Sequence, residues 1–369
     1  MRLLLIEPAT KCVHDLGLWP TPDSPALTLP ASGSFYWLSC ERGELDTLLP
    51  SVQALLQQLC GTALVDLHVS DLLNAQIPST FDYTSDYDVM VFRRLAAEER
   101  AQRPSTPPSL DTTPVGYAVF DALLLSVHGV ECPVRSQSLQ RLLTPNAASE
   151  KRALVARLPS GSADLMLRQL NQMVDGYLNL RRDMARQIDT WQMQLLNPKS
   201  RFNDWGQVLQ ARLGLHQLDE ICEDQRAAVQ DWIDALETWQ DEHSGPTEYR
   251  ALELLRVRSR DVLEHIERVI HHVHRMEQSA EAAMQMHFSA QSNRANDIMR
   301  TLTTLTAIFL PLNLIAAIFG MNFDALPLIH AEDGFWWAMA AMGVIGLVLL
   351  VFFWRRRYIE KDSLLGKEN

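Results

Sequence analysis

Between Thr301 and Asn322 the chain reads TLTTLTAIFLPLNLIAAIFGMN, and after a short acidic loop a second apolar run extends from Phe335 to Trp354. Neither run contains Asp, Glu, Lys, Arg or His. About twenty such residues are what an α-helix needs to cross a ~30 Å hydrocarbon layer, where every backbone polar group must be paired inside the helix. The spacing therefore predicts a C-terminal membrane hairpin: spans at 301–322 and 335–354, an external loop at 323–334 and a basic tail at 355–369.

Charge on the flanks gives the orientation. Arg294 and Arg300 precede the first span and Arg355, Arg356, Arg357 and Lys361 follow the second, while the loop carries Asp324, Glu332 and Asp333 and no Lys or Arg. Basic residues stay on the cytoplasmic side, so both termini are expected there, in a bacterial-type inner membrane. Trp336, Trp337, Trp354 and Tyr358 stand at the edges of the second span, where amphipathic rings favour the lipid headgroups.

The first span also bears a polar stripe. Asn296, Met299, Thr303, Thr306, Leu310, Asn313, Ala317 and Gly320 recur at steps of three and four, which keeps them on one helix face. Asparagine amides need partners or water, so this face is expected to look at other helices or at an aqueous path. Two spans cannot enclose such a path, so a pore has to lie between subunits.

The stripe ends in Phe319-Gly320-Met321-Asn322. Together with Asn296-Asp297-Ile298-Met299-Arg300 and Phe309-Leu310-Pro311-Leu312, it resembles the CorA family of divalent-cation channels. The resemblance implies a homopentamer whose Gly320, Met321 and Asn322 form the selectivity motif. The Asn322 side chain and Gly320 carbonyl would be the outer metal ligands. Asn296, Thr303, Thr306, Asn313 and Ala317 would line the conduit, with Met299, Leu302 and Leu310 as apolar constrictions. Neutral oxygens suit Mg²⁺, which sheds water reluctantly. The family's magnesium channels usually carry Met-Pro-Glu-Leu after this motif, whereas Ala325-Leu326-Pro327-Leu328 lacks the glutamate. The loop acid then has to be Glu332 or Asp333, a shift that resembles the zinc-transporting branch.

The remaining chain is expected to be cytosolic. A formal charge of −12 argues against a nucleic-acid partner and suits a body that attracts cations. Cys12, Cys40, Cys60, Cys132 and Cys222 show neither CxxC spacing nor clustering, so reduced thiols are expected. Residues 1–150 read as an α/β domain, with strands near 3–6, 35–38, 63–69, 87–92, 115–120 and 122–127 and helices near 45–60 and 136–143. The stretch from His68 to Leu73, with Pro78, Phe81, Tyr83 and Tyr87, resembles the same part of the family's cytosolic domain. The proline-rich run 103–114 is expected to be an exposed loop.

Residues 151–245 turn helical: an apolar stripe runs from Leu165 to Leu195 until Asn197-Pro198 stops it, a second helix begins near 200–203, and another, acidic one spans 215–239. Its acids are either a solvated face or a cation-concentrating surface. From 246 to 300 an alternation of Leu252, Leu255, Ser259, Val262, Ile266, Val269, Val273, Met276, Ala280 and Ala283 predicts a stalk helix packed side by side with others. His271 and Glu267, four residues apart on that helix, have spacing that two metal ligands could share, although exposed histidines are the commoner outcome.

The fold class is thus an α+β cytosolic domain, a mixed sheet flanked by helices, joined through a stalk to two transmembrane helices. No nucleophile elbow, P-loop, dinucleotide fingerprint or HExxH motif is present, so an enzyme is not expected. Nor is a resident cofactor: the ion, Mg²⁺ or else Co²⁺, Ni²⁺ or Zn²⁺, is cargo. Three functions remain open: a potential-driven divalent-cation channel, a zinc transporter coupled to protons, and a poorly conducting sensor or scaffold.

Overall fold

The computed structural model describes residues 1–21, 27–96, 110–143, 158–196, 205–242, 246–321 and 333–355. It divides into two compact units, Met1–Glu281 and Ala282–Asn369, each taken by itself below.

The first unit holds a sheet of β1 (Arg2–Glu7), β2 (Cys12–Leu18), β3 (Phe35–Glu41), β4 (Thr80–Tyr83), β5 (Asp88–Leu95), β6 (Thr112–Val119) and β7 (Leu123–His128), in the order β2-β1-β3-β7-β6-β5-β4. β3 and β7 are parallel and the other neighbours antiparallel, so the sheet is mixed. Strand β3 shows why both faces must be covered. Phe35 and Trp37 enter one hydrophobic core while Tyr36, Leu38 and Cys40 enter the other, as side chains alternate across a strand.

Helices α1 (Arg42–Cys60) and α2 (Asp66–Leu73) supply the second of these cores. Helices α3 (Pro133–Leu143), α4 (Ser162–Leu196), α5 (Trp205–Glu242) and the N-terminal part of α6 (Pro246–Phe319) supply the first. The apolar stripe of α4 is buried from Leu165 to Ile188, and the helix ends at Leu196. On α6, Ser259, Val262, Ile266, Val269 and Val273 are buried as their spacing requires. The serine among them is satisfied: its Oγ accepts from Trp232 Nε1 at 2.9 Å and donates to the Leu255 carbonyl at 2.8 Å.

Four expectations are corrected. Residues 63–69 are not a strand, because the segment turns into α2, with His68, Val69 and Leu72 buried on one helical face and Val65 and Leu67 exposed. Short apolar runs carry too little periodicity to separate the two states. Gly116 makes room for this helix, since a Cβ there would fall 2.4 Å from Leu72 Cδ2. The helices expected from about 200 and from 215 are one, α5, because Gly214 weakens a helix without ending it. Thr112 to Pro114, assigned to a loop, begin β6, where Pro114 sits opposite Arg93 beyond the last β6–β7 pair, so no ladder N–H is missed. The edge strands β2 and β4 were not foreseen, being mostly exposed and so without an apolar signature.

The cysteines are free; Cys40, Cys132 and Cys222 are buried, and burial pushes the Cys40 thiol up to about 12. Asp88 in β5 is nearly fully buried and its Oδ1 has no hydrogen-bond partner. Burial first, then the Asp121 charge, push its carboxyl up to about 8. A carboxyl that stays protonated in the fold while the unfolded chain ionises lowers stability as pH climbs from the ordinary aspartate range towards 8. Asp88→Asn is therefore expected to stabilise the protein, by an advantage that grows by about 1 kcal/mol per pH unit between pH 5 and 7 in denaturant melts. An advantage that does not vary with pH would contradict the assignment.

Candidate functional site

The second unit contains the rest of α6 and α7 (Gly334–Arg355). Both helices are long and apolar enough to span a membrane, and only 6% of each apolar window is buried. A core helix of a soluble protein would hide such a window; these two turn it outwards.

The two helices meet along matched stripes. Thr304 is buried on α6, with Ala307, Ile308, Pro311, Leu312 and Ile315 half-buried around it. On α7, Ala338 is buried, and Met342, Ile345, Gly346, Leu349 and Phe353 are half-buried. A Cβ built on Gly346 would lie 3.8 Å from Leu312 Cδ1, within ordinary van der Waals contact, so the two helices touch at this point.

At about 100° per residue, Met299, Leu302, Thr303, Thr306, Leu310, Asn313 and Ala317 fall roughly opposite that packed stripe. They remain free of it: Met299 is 61% exposed, Leu302 56% and Leu310 69%, and Asn296, Thr303, Thr306, Asn313, Ala317 and Gly320 are exposed too. The polar stripe therefore does not join the two spans of one chain. Its hydroxyls are also oriented, since Thr303 Oγ1 donates to the Met299 carbonyl at 2.8 Å and Thr306 Oγ1 to the Leu302 carbonyl at 2.9 Å. With the proton committed to the helix, each oxygen presents lone pairs outward, which is a chemistry for cations or for the waters around them.

The helical part of the first span ends at Phe319, earlier than the expected boundary at 322. Gly320 closes the last turn through its N–H to the Ala316 carbonyl at 2.9 Å, and the Met321 N–H reaches the Ile318 carbonyl at 3.2 Å. A Cβ on Gly320 would press to 3.2 Å from the Ala316 carbonyl oxygen. Asn322 and Glu332 lie outside the described residues. Asp333 is exposed, and its carbonyl accepts the Trp337 N–H at 3.1 Å.

On the stalk portion, Glu267 and His271 are both exposed. Among the described residues no group of three or more His, Cys, Asp or Glu is placed to hold a metal ion. The other stalk histidines have neighbours of their own. His265 Nδ1 is 3.1 Å from Asn171 Oδ1, and His274 Nε2 is 3.0 Å from Asp219 Oδ1 but out of line for a hydrogen bond. Several acids of α5 are likewise taken up: Glu223 pairs with Arg226 at 2.7 Å, and Glu237 pairs with Arg256 and, at 3.8 Å, with Arg260. Sequence reasoning missed Thr304 and Gly346 as packing residues. The signal was present in the three- and four-residue steps from Thr304 through Ile308 to Ile315, which share a face opposite the polar one.

The family described as CorA-like Mg²⁺ transporter protein matches residues 32–357. The cobalt/magnesium transport protein CorA of Thermotoga maritima is 32% identical over 100 residues, so that 27% of this chain aligns with 28% of that protein's length. Among solved structures, the complete CorA magnesium transporter of Methanocaldococcus jannaschii shares the fold with a TM-score of 0.63 at 19% identity, over 96% of this chain and 98% of that one. The full-length CmaX protein does so with a TM-score of 0.63 at 15% identity, over 97% of each. The chain belongs to the CorA family, whose members are ion transporters and not enzymes.

Gly346→Leu is expected to pry α7 from α6 and lower the melting temperature in detergent, by an amount corresponding to about 1–3 kcal/mol. Gly343→Leu, on a face where nothing lies within 4 Å, is expected to leave it unchanged.

Proposed function

We propose that this chain is one subunit of a pentameric divalent-cation channel of the inner membrane, with both termini cytoplasmic and Mg²⁺ as its main ion, alongside Co²⁺ and Ni²⁺. The reading is carried by one observation: the exposed stripe of acceptor oxygens on α6, which faces away from α7, the other candidate span among the described residues. Facing lipid, Asn313 and Asn296 would be costly; facing four copies of themselves, they become rings around an axis.

In this arrangement a hydrated ion meets the Asn322 side chains and Gly320 carbonyls first, with Asp333 and Glu332 raising cation concentration at the mouth. It then passes Asn313, Thr306 and Thr303. Leu310, Leu302 and Met299 supply apolar rings that close when dewetted, and Asn296 marks the inner mouth. A divalent ion gains about 4.6 kcal/mol per 100 mV of inside-negative potential, enough to drive uptake without another energy source. No ionisable residue lies in either span, so proton coupling has no carrier there.

Proteoliposomes under an imposed inside-negative potential test this with Mg²⁺, Co²⁺, Ni²⁺ and Zn²⁺. Rapid Mg²⁺ entry is expected, reduced at least about tenfold in Asn322→Ala and in Asn313→Leu, as befits residues contributing more than ~1.4 kcal/mol to the ion's path. Zinc entry that requires a pH gradient would replace the channel with a coupled zinc transporter. An absence of flux from folded pentamers would leave a sensor or scaffold.

A further inference from the structure

Where α4 packs beside α6 within the first unit, a solvent-open cavity of about 210 Å³ lies between Ile188 and Asp189 on one helix and His272, Arg275 and Ser279 on the other, with Asp189, Arg275 and Ser279 exposed. At ~30 Å³ per water it has room for roughly seven. The chain has 45 acidic side chains against 33 Lys and Arg, yet arginines gather at this seam: Arg181 and Arg182 on α4, Arg268 and Arg275 on α6. Arg268 is matched by Glu264 at 2.8 Å, and Arg182 has the Asn179 side chain at 3.4 Å. Among the described residues, neither Arg181, one turn from the cavity wall, nor Arg275, on the wall, has a carboxylate within 4 Å, whereas Arg268 does. Arg181 Nη1 is buried and has no hydrogen-bond partner.

Arg275 instead places Nη2 2.7 Å from His272 Nδ1 and 3.2 Å from Nε2. A guanidinium so close requires a neutral imidazole. Burial, followed by Arg181, Arg275, Arg268 and His271, holds His272 below the usual histidine range. Burial and then Arg182, Arg268 and Arg275 lower Arg181 in the same way. The local potential is thus positive, offset in part by Asp189 on the α4 wall. Ser279 Oγ accepts the Gln192 amide at 2.7 Å and keeps its own O–H to give.

We propose that this cavity is a site for a small phosphate-type oxyanion, bound by the Arg275 guanidinium, His272 and the Ser279 hydroxyl in the field of Arg181. Guanidinium, imidazolium and hydroxyl donors on one wall are the complement of a compact dianion. Asp189 opposes it from the α4 side and limits its affinity. Binding also turns His272 from a neutral imidazole into a paired imidazolium, so the anion and a proton enter together.

Calorimetric titration of the full chain in detergent, without magnesium, tests this with inorganic phosphate and with sulfate, whose charge is constant over the range. Saturable binding of both is expected, weakened about tenfold or more in Arg275→Gln and tightened roughly threefold in Asp189→Asn. The opposite directions separate recognition from misfolding. Sulfate affinity is expected to rise from pH 8 to pH 6, and the rise to vanish in His272→Gln. Lack of saturable binding, or binding unchanged by Arg275→Gln, would overturn the proposal. So would an Arg275→Gln variant that loses its oligomeric state while phosphate has no effect on the wild type, for then a carboxylate of a second copy fills the cavity. Ion flux enters none of these readouts.

Discussion

Hydrocarbon offers no hydrogen-bond partner, and the second unit is arranged around that fact. Backbone groups are paired along α6 and α7, and the threonine hydroxyls spend their protons on carbonyls one turn back. The asparagine amides of the same helix cannot be satisfied that way. They sit on the face that α7 does not cover, which leaves other copies of the chain, or water, as their neighbours. Pro311 adds to the economy of the packed side: it has no N–H to give to the Ala307 carbonyl, and both residues lie on the half-buried stripe shielded by α7.

The first unit answers to the opposite solvent. Its sheet is apolar on both faces and survives in water because helices from two parts of the chain bury it. Polar groups inside are few and mostly tied: Trp37 Nε1 donates to Ser126 Oγ at 2.8 Å, and His128 Nε2 lies 2.9 Å from the same oxygen. Burial, followed by Arg135, Arg94 and Arg42, holds His128 down to about 3, so it is neutral at any physiological pH. Asp164, at the start of α4, is buried and collects Ser160, Arg168 and Arg258, fastening α4 to α6. Against that background the unmatched arginines at the α4–α6 seam stand out, because an isolated charge near a low-dielectric seam is stable only with a counter-charge or water beside it.

Much of this was legible in the residues themselves. Two uncharged runs of membrane length, a face of Asn and Thr at helical spacing, and a stalk alternation from Leu252 to Val273 are long periodic signals, and long periodicity survives averaging over local noise. The same logic explains the misreadings. Residues 63–73 offer too few positions to tell a two-residue period from a 3.6-residue one, and β2 and β4 are exposed edges whose side chains need not alternate. The helices expected near 200–203 and over 215–239 are one, because tertiary packing carries the helix through Gly214.

The sequence by itself determined that this chain carries two runs long and apolar enough to cross a membrane, which face of the first is polar, and that a long helix precedes it, because hydropathy and periodicity act residue by residue along one helix. Tertiary structure decided what those faces meet. Which stripe of α6 lies against α7, where Asp88 loses its water, and how Arg181 on one helix comes to share a seam with Arg275 on another all depend on residues distant in the chain. Their mutual distances are set by packing and by no local pattern.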